Sequence, residues 1–309
     1  MYVKFDKTPV LAMMQAISLD AGGASARLLA PAGGRVASLR LMPPHGVAVD
    51  VLHPYQEDFF DPVHWAKGGI YPLMPYSNRI ENAQLLVDGE LVPLQPHPDA
   101  RPHTLHGNAH TQAWQIAQAG PATATMTLAS PASPAWPWAY QARQRFDLTA
   151  SQLAVTMTLT NASARKMPAG IGLHPYFRHE TRAKLGHNAR RHWPANSDFF
   201  PSASRILRPK ESHAAPRPLA EGTMTDYFSD WDGVVYLELP GGSRLKMACD
   251  PVFAHFVVHR PPLPAYLCLE PVSHVTNAFN LAAKGITHTG SQLLEPGQSL
   301  IGQIRLSIE

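Results

Sequence analysis

The stretch Leu153-Ala154-Val155-Thr156-Met157-Thr158-Leu159-Thr160 decides the fold class, because large apolar side chains alternate with small or hydroxylated ones. Successive side chains of a β-strand point to opposite faces, so this period of two predicts a strand with one buried face. The same alternation recurs in residues 235–239, 244–249 and 303–308. No window of about 12 or more residues has a clean helical period. The pattern therefore predicts an all-β protein, an antiparallel sandwich or barrel.

The length and composition favour one large domain. The chain has 309 residues, of which 45% are hydrophobic and 16% charged, as in an ordinary globular protein. Length alone permits two domains, but β-sandwiches often exceed the usual domain size. The segment from Arg178 to Glu221 is the least regular and is a candidate boundary, yet alternating strands lie on both sides of it. We therefore predict a single domain over residues 1–309, with long loops in this segment.

The charge distribution argues against nucleic acid and membrane partners. The formal charge is +3 and the basic residues are scattered. The densest basic group lacks interleaved aromatic residues for base stacking. Its members are Arg178, Arg182, Lys184, Arg190 and Arg191. No apolar run approaches the roughly 20 residues that cross a bilayer. We therefore predict no nucleic acid partner and no membrane partner, and we expect a monomer or homodimer.

The cysteine count and the N-terminus favour a cytoplasmic location. Cys249 and Cys268 are the two cysteines, and we interpret them as buried thiols, because a secreted protein of this size more often carries a disulfide framework. The first 16 residues contain Lys4, Asp6 and Lys7. No small-residue cleavage site follows them, so we predict no signal peptide.

Glu270 is a candidate general base. Tyr266-Leu267-Cys268-Leu269-Glu270 predicts a strand in which Glu270 shares a face with Tyr266 and Cys268, opposite the two leucines. A carboxylate in such a strand is costly to bury unless it is paired. Burial would raise its pKa toward the range in which a general base works well. The alternative is a glutamate that faces solvent at the end of a strand.

His174 is a candidate acid. It follows Gly170-Ile171-Gly172-Leu173, whose glycines permit a close backbone approach, and it precedes Pro175, which favours an extended backbone at His174. The chain contains 16 histidines. Among so many histidines, these residues alone favour a structural role for His174 over a catalytic one.

A second group of histidines has spacings that could suit a metal. His103, His106 and His110 are three and four residues apart, which would place them on one face of a helix. Pro102 and Gly107 argue against a helix here, and no cysteine or aspartate completes a ligand set. We therefore predict no metal and no cofactor.

Four segments together resemble a known family. They are Pro75-Tyr76-Ser77-Asn78-Arg79-Ile80, Leu105-His106-Gly107-Asn108, His174-Pro175-Tyr176-Phe177 and Leu269-Glu270-Pro271. In this order they resemble the signature of the aldose 1-epimerases, also called galactose mutarotases, over roughly Pro72 to Asn280. The resemblance implies a large antiparallel β-sandwich of the galactose mutarotase type. It also implies that Glu270 is the catalytic base, His174 the catalytic acid and His106 a sugar contact.

The resemblance also implies further sugar contacts. Arg79 would bind the substrate, because a guanidinium fork can donate to two sugar oxygens at once. Asn78 would shape the turn or share that contact. The family places a substrate-binding aspartate in a region similar to Thr225-Asp226-Tyr227-Phe228, so we assign that role to Asp226. Asp230 and Asp232 are alternatives, because the spacing to the phenylalanine differs from the family pattern.

The implied reaction interconverts the α and β anomers of an aldohexose by opening the pyranose ring at C1. One group removes the proton of the C1 hydroxyl while another protonates the ring oxygen. A rate optimum near neutrality requires both pKa values of the pair to be raised. One alternative is that the substrate is a hexose 6-phosphate. Gly68-Gly69-Ile70-Tyr71-Pro72 is faintly similar to the branch of enzymes with the same fold that acts on such sugars. The other is a non-catalytic carbohydrate-binding protein of the same fold.

Overall fold

The structure is a computed structural model that describes residues 16–56, 59–64, 66–180, 182–219, 222–261 and 266–309. Lys4, Asp6 and Lys7, on which the prediction of no signal peptide rests, lie outside the described residues.

The described chain is built almost entirely from short and medium strands. In chain order they are β1 (Ala16–Ala21), β2 (Ala24–Leu29), β3 (Arg35–Leu41), β4 (Val49–Asp50), β5 (Ile70–Leu73), β6 (Arg79–Ile80), β7 (Gln84–Val87), β8 (Glu90–Pro93), β9 (Thr104–Leu105), β10 (Gln115–Ala119), β11 (Thr123–Ser130), β12 (Tyr140–Leu148), β13 (Gln152–Asn161), β14 (Met167–Ala169), β15 (Gly172–Arg178), β16 (Lys184–His187), β17 (Arg191–Trp193), β18 (Arg205–Ile206), β19 (His213–Pro218), β20 (Met224–Ser229), β21 (Val234–Glu238), β22 (Arg244–Cys249), β23 (His255–Arg260), β24 (Tyr266–Val272), β25 (Gln292–Leu294) and β26 (Ser299–Ile308). Among the described residues there is one α-helix, α1 (Ala278–Ala283), and there are four 3-10 turns.

Two large antiparallel sheets contain most of these strands. The larger has 11 strands in the order β1-β2-β3-β5-β15-β24-β23-β20-β17-β18, with β4 paired to β3. The smaller has nine, in the order β10-β11-β12-β13-β26-β22-β21-β16-β19. Three two-stranded pairs accompany them, namely β14 with β25, β6 with β9, and β7 with β8. The predicted all-β antiparallel sandwich is therefore confirmed.

The main core lies between the two large sheets. Phe177 of β15 and Leu267 and Leu269 of β24 point into it from the larger sheet, and Phe146 and Ile304 belong to the same apolar cluster from the smaller one. The strand that decided the fold class, β13, lies between β12 and β26 within the smaller sheet. This continuous core supports the interpretation of the chain as one domain, which stays a prediction.

The other face of the larger sheet is also covered. A second apolar cluster there includes Tyr71, Tyr176, Tyr227, Val257 and Cys268. The central strands of this sheet are consequently buried on both faces; in β24, every residue from Leu267 to Val272 is buried. A polar group on that second face is shielded from bulk water, and this is where the candidate site lies.

The segment from residue 178 to 221 differs from the prediction of long loops. Its described part contains four short strands, β16 to β19. Two of them, β18 and β19, are at the edges of their sheets. Most residues of β19 are exposed, so its sequence has no buried face and gives no alternation that could reveal it.

Both cysteines are free thiols, as predicted, but only Cys268 is buried, since Cys249 is partly exposed. No helix within the described ranges is long and apolar enough to cross a membrane.

Candidate active site

A cavity of about 220 Å³ opens on the second face of the larger sheet. Alternate residues of five neighbouring strands form its floor, because β5, β15, β24, β23 and β20 are consecutive in the sheet. Its lining consists of Tyr71, His174, Tyr176, Thr225, Tyr227, Val257, His259, Tyr266 and Glu270 from these strands, and of Lys67, Asn78, Arg79, Leu105, His106 and Phe199 around them.

The sheet register brings the predicted acid and base together. β15 and β24 are antiparallel neighbours in which Tyr176 pairs with Cys268, so His174 lies opposite Glu270. His174 Nε2 is 3.3 Å from Glu270 Oε1, and the two side chains are only 8% and 4% exposed. The pair is thus nearly dry, and both groups can reach one small ligand.

Aromatic rings fix the plane of the imidazole. The His174 ring stacks against those of Tyr71 and Tyr176, with a centroid distance of 4.7 Å to each. Behind Tyr71 is the fully buried guanidinium of Arg35, whose Cζ is 4.9 Å from the Tyr71 ring centroid. These two aromatic contacts leave the ring little freedom to rotate away from Glu270.

Burial shifts the two pKa values in opposite directions. Desolvation raises the pKa of Glu270 to about 8, because a buried carboxylate loses its hydration. Desolvation, with the charges of His259 and Lys67, holds the pKa of His174 well below 6.5. The expectation that both pKa values are raised is not met, because only that of Glu270 is raised.

Taken as a coupled unit, the pair holds one exchangeable proton near neutrality. Because burial disfavours both the carboxylate and the imidazolium, this proton is on the Glu270 carboxyl and His174 is neutral in the favoured form. Transfer across the 3.3 Å contact gives the carboxylate and imidazolium form. One acid and one base are present in either form.

His106 is locked to Asn78 by two reciprocal hydrogen bonds. The backbone N–H of Asn78 donates to the ring Nδ1 of His106 at 3.0 Å, and the backbone N–H of His106 donates to the backbone carbonyl of Asn78 at 2.8 Å. Because Nδ1 accepts, the proton of the neutral imidazole is on Nε2. Desolvation holds the pKa of His106 well below 6.5. His106 therefore offers the cavity a neutral N–H donor.

Gly107 makes this arrangement sterically possible. Its φ is +68°, and a Cβ there would lie 2.3 Å from the Met74 carbonyl oxygen. At Gly89 the φ is +83° with no heavy atom within 4 Å, so Gly89→Ala is a matched control for the backbone cost alone, about 1–2 kcal/mol.

We predict that Gly107→Ala lowers the free energy of unfolding by at least about 2 kcal/mol more than Gly89→Ala, because the backbone at Met74 must also shift. Urea unfolding of both variants measures the difference. Equal losses in the two variants would contradict the close approach at Gly107.

Arg79 lies at the start of β6, beside Leu105 of β9. Its guanidinium packs on the Phe199 ring, with Cζ 4.3 Å from the ring centroid. A stacked guanidinium keeps its N–H groups, which lie in its own plane, available to a ligand. Arg79, Asn78, His106, His174 and Glu270 all line the one cavity, so the structure brings five of the six expected site residues together.

Asp226 is the exception. Thr225 and Tyr227 of β20 line the cavity, and because side chains alternate along a strand, Asp226 points to the opposite face. There its Oδ1 is 2.9 Å from His192 Nε2. This corrects the expectation that Asp226 contacts the sugar in this cavity.

The two alternative aspartates do not take that place. Asp230 accepts a hydrogen bond from Arg190, and Asp232 accepts one from Asn188. Neither lines the cavity, so no aspartate is found in its described lining.

His103, His106 and His110 do not converge on a ligand. His103 Nδ1 accepts the N–H of Asn82, and His106 is the only one of the three in the cavity lining. In the part of the chain that the structure describes, no group of three or more His, Cys, Asp or Glu residues is placed to hold a metal ion.

Sequence reasoning missed several lining residues, among them Lys67, Thr225, Tyr227 and His259. Period-two alternation in β20 and β23 could have paired Thr225 with Tyr227, and Val257 with His259, on one face each. In the sheet order β15-β24-β23-β20, only β23 and β24 are consecutive in the chain. The pairings of β15 with β24 and of β20 with β23 join strands that are not consecutive in sequence, and no local signal predicts them.

Known proteins share this fold. A galactose mutarotase-like protein from Clostridium acetobutylicum superposes with a TM-score of 0.82 at 18% identity, covering 98% of both chains. The GalM/aldose epimerase homologue from C. elegans gives a TM-score of 0.80 at 15% identity over 96% of this chain and 99% of that one. At these identities the likeness shows the fold alone.

Sequence comparison extends the resemblance beyond the four motifs. The uncharacterized protein YphB of Escherichia coli (strain K12) is 26% identical over 248 residues, which are 77% of this chain and 83% of YphB. The family model described as aldose 1-epimerase matches residues 15–307, nearly the whole length of the chain. The protein therefore belongs to the aldose 1-epimerase family.

Proposed function

We propose that this protein is an aldose 1-epimerase that interconverts the α and β anomers of an aldohexose by acid/base ring opening. The observation that carries the proposal is the contact between His174 Nε2 and Glu270 Oε1, 3.3 Å long, in a nearly dry cavity. The hydroxyl oxygen and the ring oxygen that must exchange protons are bonded to the same carbon, C1. Two groups this close together can serve both oxygens at once.

In ring opening, the Glu270 carboxylate takes the proton of the C1 hydroxyl while the bond from C1 to the ring oxygen breaks and C1 becomes an aldehyde. His174 gives its proton to the departing ring oxygen. The aldehyde then turns about the C1–C2 bond and the ring closes by the reverse transfers. The neutral form of the pair, with its proton on Glu270, is the form that ring closure needs. Each role contributes roughly 10²- to 10⁴-fold to the rate.

The other contacts would hold the sugar. His106 Nε2–H and the Arg79 guanidinium are donors for ring hydroxyls, and Tyr227 and Asn78 add groups that both donate and accept. The non-catalytic alternative is less well supported, because both members of the acid/base pair are present and in contact. The cytoplasmic location and the monomeric or dimeric state stay predictions.

The experiment that tests the proposal is polarimetry of freshly dissolved α-anomers from a panel of aldoses. The protein is expected to bring each accepted sugar to the same final rotation as buffer, but faster. Rates equal to those of buffer for the whole panel would contradict the proposal.

The pH profile of kcat/KM follows from the pKa directions. The active pair holds one proton, which it loses as pH rises through about 8, the pKa of Glu270. On the acid side a second proton binds only at the lowered pKa of His174, well below 6.5. We expect kcat/KM to be constant through neutrality and to fall above a pH of about 8. Both titration steps of this profile belong to the coupled pair and not to either residue alone. A rise in kcat/KM between pH 7 and 9 would contradict the one-proton pair.

Replacing Arg79 by alanine should mainly weaken binding. A hydrogen bond from a charged group contributes about 1.5–3 kcal/mol, so we expect KM for the best aldose to rise roughly 10- to 100-fold with a smaller change in kcat. Arg143→Ala, at an exposed position of β12 in the smaller sheet, is the control and should leave KM unchanged. A fall in kcat at constant KM would place Arg79 in the chemical step.

A further inference from the structure

The connection 273–280 follows β24, the strand that carries Glu270. Its first residue, Ser273, continues the pairing of β24 with β15, the strand that carries His174. The backbone N–H of Ser273 donates to the Ile171 carbonyl at 2.9 Å, and the Ser273 hydroxyl accepts the Ile171 N–H at 3.0 Å. The start of the connection is therefore fixed to both strands of the acid/base pair.

This connection also holds the segment 77–86, which includes Arg79. The backbone N–H of Asn277 donates to the Arg79 carbonyl at 3.0 Å, and Asn277 Oδ1 accepts the Glu81 N–H at 3.3 Å. Asn280 Nδ2 donates to Asn277 Oδ1 at 2.8 Å, which fixes the orientation of that side chain. Both asparagines are buried. The backbone that presents Arg79 to the cavity is thus tied to the chain that leaves β24.

His274 makes the contact of this connection that is nearest in sequence to the expected sugar contacts. The backbone N–H of Ser77, the residue before Asn78 and Arg79, donates to His274 Nε2 at 3.2 Å. His274 Nδ1 is 2.8 Å from the Val275 carbonyl oxygen. A carbonyl only accepts, so Nδ1 carries the proton of the neutral ring and Nε2 is left as the acceptor. Both ring nitrogens of this buried histidine are therefore used.

Gly170 provides the space for the imidazole. A Cβ at this position would lie 2.2 Å from His274 Cδ2 and 2.4 Å from His274 Nε2, which is far inside van der Waals contact. The backbone N–H of Gly170 donates to the Pro75 carbonyl at 2.6 Å, so the two chains are close together here. The missing Cβ allows the ring to reach the Ser77 N–H.

We infer that His274 is a positioning residue for the sugar, because through Ser77 it fixes the backbone that presents Asn78 and Arg79 to the cavity. His274 is not in the described lining of that cavity, so it acts without touching the substrate. This inference rests on the proposed epimerase function and adds a residue that determines how tightly the sugar binds. Small displacements of groups that orient a substrate have large effects on turnover.

Two substitutions separate the roles of the two ring nitrogens. The amide of glutamine reaches the position of Nε2, so His274→Gln keeps an acceptor for the Ser77 N–H. The amide of asparagine reaches only the position of Nδ1, so His274→Asn keeps a donor for the Val275 carbonyl and loses the acceptor. Both variants lose the ring and its packing. The difference between them therefore isolates the contact with Ser77.

The experiment measures KM and kcat of both variants by polarimetry of the best aldose. We expect His274→Asn to raise KM about tenfold, because a buried N–H that loses its acceptor displaces the segment. In His274→Gln, KM should stay within about threefold of the unmodified protein. In both variants kcat should change less than about threefold, since the acid/base pair is not altered. Thermal unfolding checks that each variant is folded.

Gly170→Ala provides a second route to the same displacement. It keeps the imidazole but pushes it away from Ser77, and the φ of Gly170 is not positive, so alanine adds no backbone strain of its own. We expect KM to rise about tenfold here too. This variant decides the question if His274→Asn does not fold, and an unchanged KM in folded Gly170→Ala would contradict the inference.

A double-mutant cycle tests whether His274 acts through the segment that carries Arg79. In the Arg79→Ala background, the contact that His274 positions is already lost. The tenfold ratio of KM between His274→Asn and His274→Gln should therefore shrink to about threefold or less. A purely structural role, which affects the whole fold, would leave this ratio unchanged.

The outcomes separate this inference from the function on which it rests. Equal KM values of the folded Asn and Gln variants would overturn the inference and leave the epimerase proposal standing, as would a ratio that persists in the Arg79→Ala background. A fall in kcat at constant KM in His274→Asn would also overturn it, because His274 would then support the acid/base pair. No mutarotation of any sugar by the unmodified protein would overturn the epimerase proposal itself.

Discussion

Replacing Glu270 by glutamine is expected to lower kcat by at least about 10²-fold. Glutamine keeps the size of the side chain and fits the same buried position on β24, but its amide cannot take the proton of the C1 hydroxyl. Substrate contacts made by Arg79 and His106 do not depend on it, so KM should change much less than kcat. Polarimetry at saturating sugar measures the loss.

Two controls support this prediction. Glu90→Gln makes the same change at an exposed position of β8 and should keep full activity. Thermal unfolding checks that the Glu270→Gln protein is folded. At pH 7 it should be at least as stable as the unmodified protein, because burying a carboxyl whose pKa is about 8 disfavours folding wherever the unfolded carboxyl ionises. A folded variant with near-native mutarotation would show that Glu270 is not the base.

Mild acid is expected to unfold the protein at a pH well above the range of ordinary acid denaturation. Burial lowers the pKa of His187 to about 3 and those of His255 and His274 to about 4 each. In the unfolded chain each would bind a proton near pH 6.5. A lowered folded pKa means that stability is fully present above about 6.5 and is lost as pH falls toward 4.

The size of this effect approaches the whole stability of a domain. A tenfold change in an equilibrium constant corresponds to about 1.4 kcal/mol, so the three lowered pKa values together remove about 10 kcal/mol of stability by pH 4. Native proteins have about 5–15 kcal/mol. Glu270 acts in the opposite direction, since its folded state binds one more proton between pH 4.5 and about 8. We expect an unfolding midpoint between roughly pH 4 and 5.5, followed by circular dichroism.

A single substitution tests the assignment to histidines. His187 is buried against Phe228 and Phe256, and His187→Asn should reduce by one the number of protons taken up on unfolding, which flattens the pH dependence of stability. His45→Asn, at an exposed position, should leave the slope unchanged. A protein that stays native at pH 3.5, or an unchanged slope in His187→Asn, would refute this explanation.

The fold class and the face of β24 that carries Glu270 could be predicted from the sequence because each depends on a local pattern. Alternation in residues 153–160 marks a strand that buries one face, and β13 is such a strand. The face of Glu270 follows from the same period, since Leu267 and Leu269 point into the main core. The pairing of Glu270 with His174 came from a resemblance between motifs, and the register of β15 and β24 supplies its geometry.

The parts that could not be predicted depend on non-local geometry. Thr225, Tyr227 and His259 join the cavity because β20 and β23 follow β24 in the sheet. The same alternation that places Thr225 and Tyr227 there turns Asp226 away. The lowered pKa of His174 depends on burial and on His259 and Lys67, which are distant in sequence.

The measurement that tests the central claim most directly is 13C NMR of an α-aldose labelled with 13C and 18O at C1, mixed with the protein. If His174 and Glu270 open the ring, the oxygen on C1 stays bonded throughout. We predict that the anomers equilibrate faster than in buffer and that the isotope shift of 18O is retained in both. Equilibration no faster than in buffer, or faster equilibration with loss of the label at the same rate, would contradict ring opening between these two residues.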